Sequence, residues 1–217
     1  MKWSLKRELI PLLIFLIFGG IMVYCFPTIP DPMTSHFDIA GKPNAWMAKN
    51  IFLMLAIGIM LGIYLMLTFI PFIDPLWKKI EYKYTLILLL RDITLGAFAF
   101  IFVLTLVAAH EGKLRIDLLG TAIGLLLLIY GNYLPKLPRN WFIGIKTPWT
   151  LSSEIDWKKT HIVGGWLFAI TGGVIIVLSL LKVSLIIALS ILLPVTLVSI
   201  LIYPFYIFKK QQKEKEL

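Results

Sequence analysis

Few side chains in this 217-residue chain have the types and spacing to do chemistry. Arg91 and Asp92 stand well inside an apolar run, where an ionisable residue reads by default as part of a substrate path, a proton relay or a counter-ion. His36, with Asp31 and Asp38 nearby, and the pair His110–Glu111 could each offer a metal ligand, but neither spacing matches a strong ligand pattern. Glu154, Asp156 and His161 bring acid–base groups into one stretch, the minimum that a membrane enzyme acting on lipid-linked substrates would need. Each group also has a plainer reading. A hydrogen-bonded loop accounts for His36 and Asp38. Arg91, near the end of its run, can snorkel to the interface. Adjacent residues on a helix do not face each other, so Arg91 and Asp92 need other partners. The pattern holds no nucleophile–base set and no metal cluster, and no catalytic, metal or cofactor residue is assigned.

The elements that must position these residues are set by the solvent. Hydrophobic residues make up 59% of the chain and charged residues 15%, against about a quarter charged in a soluble domain. Crossing a bilayer takes roughly 20 apolar residues of helix. Six runs approach that length: 9–26, 51–70, 86–109, 118–134, 162–181 and 185–206. They are apolar on every face rather than alternating, which excludes barrel strands and leaves helices. The expectation is an all-α polytopic integral membrane protein with about six transmembrane helices. Apart from Arg91 and Asp92 the run interiors lack Asp, Glu, Lys, Arg and His, which argues against a proton-coupled pump.

The net charge of +9 would suggest nucleic acid as a partner in a soluble protein. Here the excess Lys and Arg sit at the ends of the apolar runs, where they set topology and meet anionic lipid, so the lipid bilayer is the partner and nucleic acid is not. With the first loop external, the internal side holds Lys2, Lys6 and Arg7, then Lys78, Lys79 and Lys83, then Lys136, Arg139, Lys146, Lys158 and Lys159, and finally the tail lysines. The external side keeps Lys42, Lys49, Lys113, Arg115 and Lys182. This imbalance predicts both ends in the cytoplasm. The single cysteine, Cys25, allows no intrachain disulfide; preceded by Tyr24, it is no lipoprotein signal, and the first run is expected to be a retained helix with Cys25 packed.

The expected organisation is a helix pair over 1–70 with a Pro-rich external loop at 27–48, a central helix pair over 86–134, a region over 135–206 holding a cytoplasmic elbow and the last helix pair, and a charged, frayed cytoplasmic tail at 207–217. In the external loop Pro27, Pro30, Pro32 and Pro43 forbid a long helix, and Asp38 to Lys42, with Gly41, makes a turn. Its Phe, Ile and Trp content predicts an ordered lid over the outer ends of the first two helices rather than a linker. Gly58 with Gly62, and Gly120 with Gly124, have the spacing that lets helix backbones approach in lipid, and internal packing is expected of both. Pro194 is expected to kink the last span.

The stretch after the fourth span carries the most local logic. Trp141, Trp149, Trp157 and Trp166 fall at or near one interface, where Trp is favoured. Thr147 before Pro148 fits a helix N-cap with Pro at the first position. Ser153 and Asp156 resemble a capping box, Glu154 and Lys158 an i, i+4 ion pair, and Trp157 and His161 share a helix face. Two readings stay open: an interfacial elbow that anchors the fourth and fifth spans, or a cytoplasmic docking surface.

This stretch resembles the signature of the SdpI family of bacterial immunity membrane proteins. The residues that carry the resemblance are Gly144, Lys146, Thr147, Pro148, Trp149, Thr150, Leu151, Glu154 and Trp157, with His161 beyond them. The external loop, through Pro27, Pro30, His36, Phe37, Gly41 and Pro43, is similar to a companion domain of unknown function that precedes this region in many relatives. The resemblance implies resistance to a secreted, membrane-active peptide toxin met on the external side. It also implies capture of a transcriptional repressor protein on the cytoplasmic side. No cofactor is implied. The rival class is a small-molecule permease or channel, for which Thr94, Asn132, Thr171 and Ser179 leave a narrow polar route.

Overall fold

The computed structural model describes residues 4–183 and 185–215. Lys2, Ser184 in the last hairpin, and the final two residues of the tail lie outside the described residues. Among the described residues six helices are long and apolar enough to cross a membrane, so the chain has the all-α, multi-pass architecture that the apolar runs demand. In chain order the elements are α1 (Leu9–Cys25), β1 (Met33–Phe37), β2 (Pro43–Met47), α2 (Lys49–Ile73), the short α3 (Trp77–Glu81), α4 (Tyr84–Glu111), α5 (Ile116–Tyr133), the short α6 (Pro148–Ser152), α7 (Glu154–Leu180) and α8 (Leu185–Lys215).

Two bounds differ from the apolar runs. Helix α7 starts at Glu154, well before the run at 162, because the Ser153 side chain accepts the Asp156 backbone N–H (3.2 Å) and caps the polar turn that leads into the span. The box is one-sided, with Ser153 capping and no reciprocal bond from Asp156. Helix α8 runs on to Lys215 instead of fraying at the tail, and Gln211 in that extension donates to Asp156 Oδ1 (2.5 Å).

The chain divides into two compact units. One comprises residues 2–68 and 87–122. Its core is a layer of α1, α2 and α4 side chains: Phe18, Met22, Phe52, Ala56, Met60 and Leu95 are buried together, and Ile29 and Met33 of the Pro-rich loop join them. Cys25 packs at the edge of this cluster. The Pro-rich loop at 27–48 is ordered, as its apolar content predicts, but its form is a two-stranded antiparallel hairpin that the proline count did not suggest. Asp38 closes the turn by accepting the backbone N–H groups of Ala40 and Lys42 (2.8 Å each), and Gly41 takes a positive φ of 78°. The loop reaches past the first two helices: Leu114 donates to the Gly41 carbonyl (2.8 Å), and Phe37 packs with Leu104, Ala108 and Leu114. His36 Nδ1 pairs with Asn44 Oδ1 across the hairpin, and His110 bonds Leu106 O and Thr28 Oγ1, so both histidines serve local structure.

The other unit comprises residues 69–86 and 123–217. Here α5 and α7 meet backbone to backbone. A Cβ on Gly165 would stand 2.6 Å from the Gly131 carbonyl oxygen, and one on Gly172 would stand 2.5 Å from that of Gly124. Glycines seven residues apart on each helix thus form two matched contacts, with no room for a methyl group. Gly165→Leu should therefore force the helices apart, at a cost of at least about 1–3 kcal/mol from overpacking; a lowered thermal midpoint of the purified protein in detergent checks this. The expectation for Gly58 and Gly62 is overturned. A Cβ at either would meet nothing within 4 Å, so neither packs internally.

Candidate functional site

The motif residues come together in an elbow built from the chain between α5 and α7. Its foundation is Asn140, which the motif reading missed. This side chain is 1% exposed and uses its full capacity: Nδ2 donates to Pro138 O (2.9 Å) and Ile143 O (2.8 Å), while Oδ1 accepts the N–H groups of Phe142 (2.9 Å) and Ile143 (2.7 Å). A second missed residue, Asp74, is buried after α2. It accepts the Leu76 N–H (2.7 Å) and the Trp141 N–H (2.8 Å), tying the loop after α2 to the elbow. The sequence signal was available in both cases, since Asn and Asp close turns on backbone N–H groups.

Beyond this turn the chain passes Gly144, whose φ is 116°. Its lack of a side chain lets His161 close in. The Ile145 N–H donates to His161 Nε2 (3.1 Å), and His161 Nδ1 lies 2.8 Å from Trp157 O. Because Nε2 accepts, Nδ1 carries the proton and donates. Trp157 stacks on the imidazole at a centroid distance of 3.9 Å and donates its indole N–H to Leu137 O (2.9 Å). Both rings are buried, so Trp157 belongs to the elbow's core and not to the interfacial belt expected of it. A shared helix face put the two rings within reach, and burial supplied the contact.

Thr147 and Thr150 then build a reciprocal capping box around α6. Thr150 N–H donates to Thr147 Oγ1 (3.2 Å), Thr147 N–H donates to Thr150 Oγ1 (2.9 Å), and the Thr150 hydroxyl also reaches Ile145 O (2.9 Å). Pro148 occupies the first helical position, as the Thr-Pro pair predicts. Trp149 meets Phe205 of α8 edge-on at 5.2 Å. Glu154 does not pair with Lys158; Lys79 and Arg139 hold it instead, Arg139 Nε at 3.2 Å, because two cations from neighbouring segments converge on it. Arg139 also donates to Leu151 O (2.6 Å).

Beside this buried set lies an open cleft of about 490 Å³ lined by Trp141, Lys146, Thr147, Pro148, Leu151 and Ser152. Motif residues thus divide by role. Gly144, Thr147, Thr150, Trp157 and His161 hold the elbow's shape, and Lys146 and Pro148 are exposed on its surface.

Arg91 and Asp92 lie in the first unit, where Arg91 has the other partners expected of it but neither snorkels nor stays apart from its neighbour. Arg91 does not snorkel: it is fully buried and bonds Glu8 Oε2 (3.0 Å), Thr68 Oγ1 (2.9 Å) and the Arg7 carbonyl (3.1 Å). It also bonds its neighbour, Nε to Asp92 Oδ1 at 2.9 Å, because a long guanidinium arm folds back where two Cβ atoms diverge. Tyr64 completes the group, donating to Glu8 (3.0 Å) with its ring 5.1 Å from the guanidinium. Glu8, which the charge pattern did not single out, is 4% exposed and joins α1, α2 and α4 through this group. The hydroxyls offered for a polar route are engaged locally: Thr171 with Thr196 (2.8 Å), Ser179 with Ile175 O (2.7 Å) and Thr94 with Leu90 O (2.6 Å).

The comparisons with known proteins fall on these two regions. Residues 136–207, which hold the elbow, α7 and most of α8, match the model of the SdpI/YfhL protein family. Residues 12–61, which hold α1, the hairpin and the first half of α2, match a domain of unknown function, DUF1648. The chain is similar to the immunity protein SdpI of Bacillus subtilis (strain 168), with 24% identity over 206 residues that cover 93% of this chain and 97% of that protein. No solved structure matches. This multi-pass membrane chain thus carries, behind a region that matches a domain of unknown function, a region from its elbow to residue 207 that matches the SdpI/YfhL family.

Proposed function

We propose that this protein protects the membrane that carries it against a secreted, membrane-active peptide toxin, and that the elbow is its cytoplasmic docking face for a repressor protein. One observation carries the reading. The residues of the motif build a preorganised, hydrogen-bonded unit, and that unit presents an open cleft. Rigid support beneath an exposed surface is what a docking face requires, because less ordering entropy is lost on binding. The near full-length similarity to an immunity protein points the same way, since it spans the external hairpin as well as the elbow. On this reading toxin meets the external side and the elbow reports its presence inside. The reading is of a non-catalytic plasma-membrane protein of a prokaryote with both ends in the cytoplasm, the orientation that the Lys and Arg distribution favours.

Cells making the protein should survive a secreted membrane-active peptide that kills the same strain with an empty vector. Lys146→Gln and Trp141→Ala, both on the exposed cleft, should leave membrane abundance unchanged and impair repressor capture, read as the fraction of repressor that sediments with membranes. Equal killing with and without the protein, across peptides of this class, would remove the proposal. Flux of small solutes through liposomes containing the pure protein would favour a permease instead.

A further inference from the structure

The elbow cleft that the docking reading probes at Trp141 and Lys146 has a composition that points further, to lipid. Trp141 is 51% exposed, but its position is fixed, because its backbone N–H is held by the buried Asp74 carboxylate. Lys146 is also held: its ammonium donates to the Phe142 carbonyl (2.7 Å), which leaves two of its three donor hydrogens to face the cleft. Pro148 and Leu151 supply an apolar floor between them. Of the carboxylates at this face, Asp74 is buried on the Leu76 and Trp141 N–H groups, and Glu154 already has Lys79 and Arg139 as partners. The exposed lysines Lys158 and Lys159 add positive charge nearby on α7. All of this stands immediately before Glu154, where the fifth helix long and apolar enough to cross a membrane begins, and the end of such a helix is where head groups are met.

We infer that the cleft between Trp141 and Lys146 binds the head group of an anionic phospholipid, with the phosphate at Lys146 and the upper acyl chain against Trp141, Pro148 and Leu151. Charge complementarity selects the occupant. A fixed ammonium with spare donors suits a phosphodiester, and an indole beside an apolar floor suits the glycerol and first methylenes. A soluble acidic segment would match the ammonium but would leave the Trp141 face and the Leu151 floor without apolar cover. The inference concerns the same elbow as the docking proposal but does not depend on toxin immunity.

The test is lipid retention by the full-length purified protein, read by native mass spectrometry with phosphatidylglycerol and with phosphatidylcholine. Phosphatidylglycerol should be retained preferentially. Lys146→Gln should weaken its retention about fivefold, the effect of removing one basic side chain from an anionic lipid surface. Trp141→Ala should weaken retention of both lipids. Lys158→Gln, outside the cleft, should change little. Equal retention of the two lipids overturns the inference, as does an equal loss in Lys158→Gln and Lys146→Gln, since either would mean diffuse attraction without a site. Binding of a soluble poly-glutamate peptide in place of phosphatidylglycerol, lost in Lys146→Gln, would also overturn it and assign the cleft to an acidic protein segment. None of these readouts involves toxin, so failure here would leave the immunity proposal standing, and failure of immunity would leave the lipid site standing.

Discussion

Arg91→Leu should remove most of the protein from the membrane fraction and leave the remainder with a sharply lowered thermal midpoint in detergent. Four acceptors meet this one guanidinium: Glu8, Asp92, Thr68 and the Arg7 carbonyl. Glu8 and Asp92 are 4% and 9% exposed, so water cannot replace what leucine takes away. Breaking a buried ion pair by removing one partner costs about 3–5 kcal/mol, a large share of the total stability of most proteins. Arg91→Lys should recover only part of the loss. An ammonium is a single point of charge and cannot span acceptors set around a planar fork. Replacing Glu8, Arg91 and Asp92 together with leucine should be milder than Arg91→Leu alone, because no charge is then stranded. If Arg91→Leu matched wild type in abundance and midpoint, the cluster would hold nothing together and the account of α1, α2 and α4 given above would be wrong.

The second large effect is expected at Gly144→Ala, which should abolish the function of the elbow while changing a single methyl group. The backbone there has φ of 116°, which a residue with a Cβ adopts at a cost of about 1–3 kcal/mol. The new Cβ would also stand 2.4 Å from His161 Nε2, the atom that accepts the Ile145 N–H. The imidazole must move, and a buried N–H then loses its acceptor for a further ~1–3 kcal/mol. Gly144→Ala combined with His161→Ala separates the two causes. Removing the ring relieves the clash, so the double variant should be less damaged than the sum of the single ones, with a coupling of about 0.5–3 kcal/mol. Strict additivity would mean that the backbone strain acts alone and that His161 does not gate this position.

The success of the reading for α6 and its failure for Arg91 have one physical distinction. Thr147, Pro148, Ser153 and the Asp38–Gly41 turn act over four or five residues of chain, so their chemistry is written locally and the structure reproduces it. Glu154 had a local partner available in Lys158 and took Lys79 and Arg139 instead. Arg91 had a short route to the interface and took Glu8, 83 residues away. In both cases the local option competes with a convergence of charges that only the folded chain creates. Trp157 follows the same rule. As a Trp near a membrane interface it had a general place to go, but the space beside Gly144 admitted a stacked pair of rings and buried it.

Glycines illustrate the limit differently. The GxxxG spacing at Gly58 and Gly62 equals that at Gly120 and Gly124, yet a Cβ at Gly58 or Gly62 would meet open space, whereas one at Gly124 would touch the backbone of α7. Spacing states that a close approach is possible, and the partner helix decides whether it occurs. The true contact pairs Gly124 and Gly131 with Gly172 and Gly165, a match between two segments far apart in the chain.

Six membrane-spanning helices, the caps of α6 and α7 and the tight turn of the Pro-rich loop were determined by the amino-acid sequence alone, because each depends on solvent preference or on bonds within a few residues. The tertiary structure alone decided which charges pair, which tryptophan is buried, which glycines touch and where a cleft opens, because each of these depends on groups that only folding brings within a few ångströms of one another.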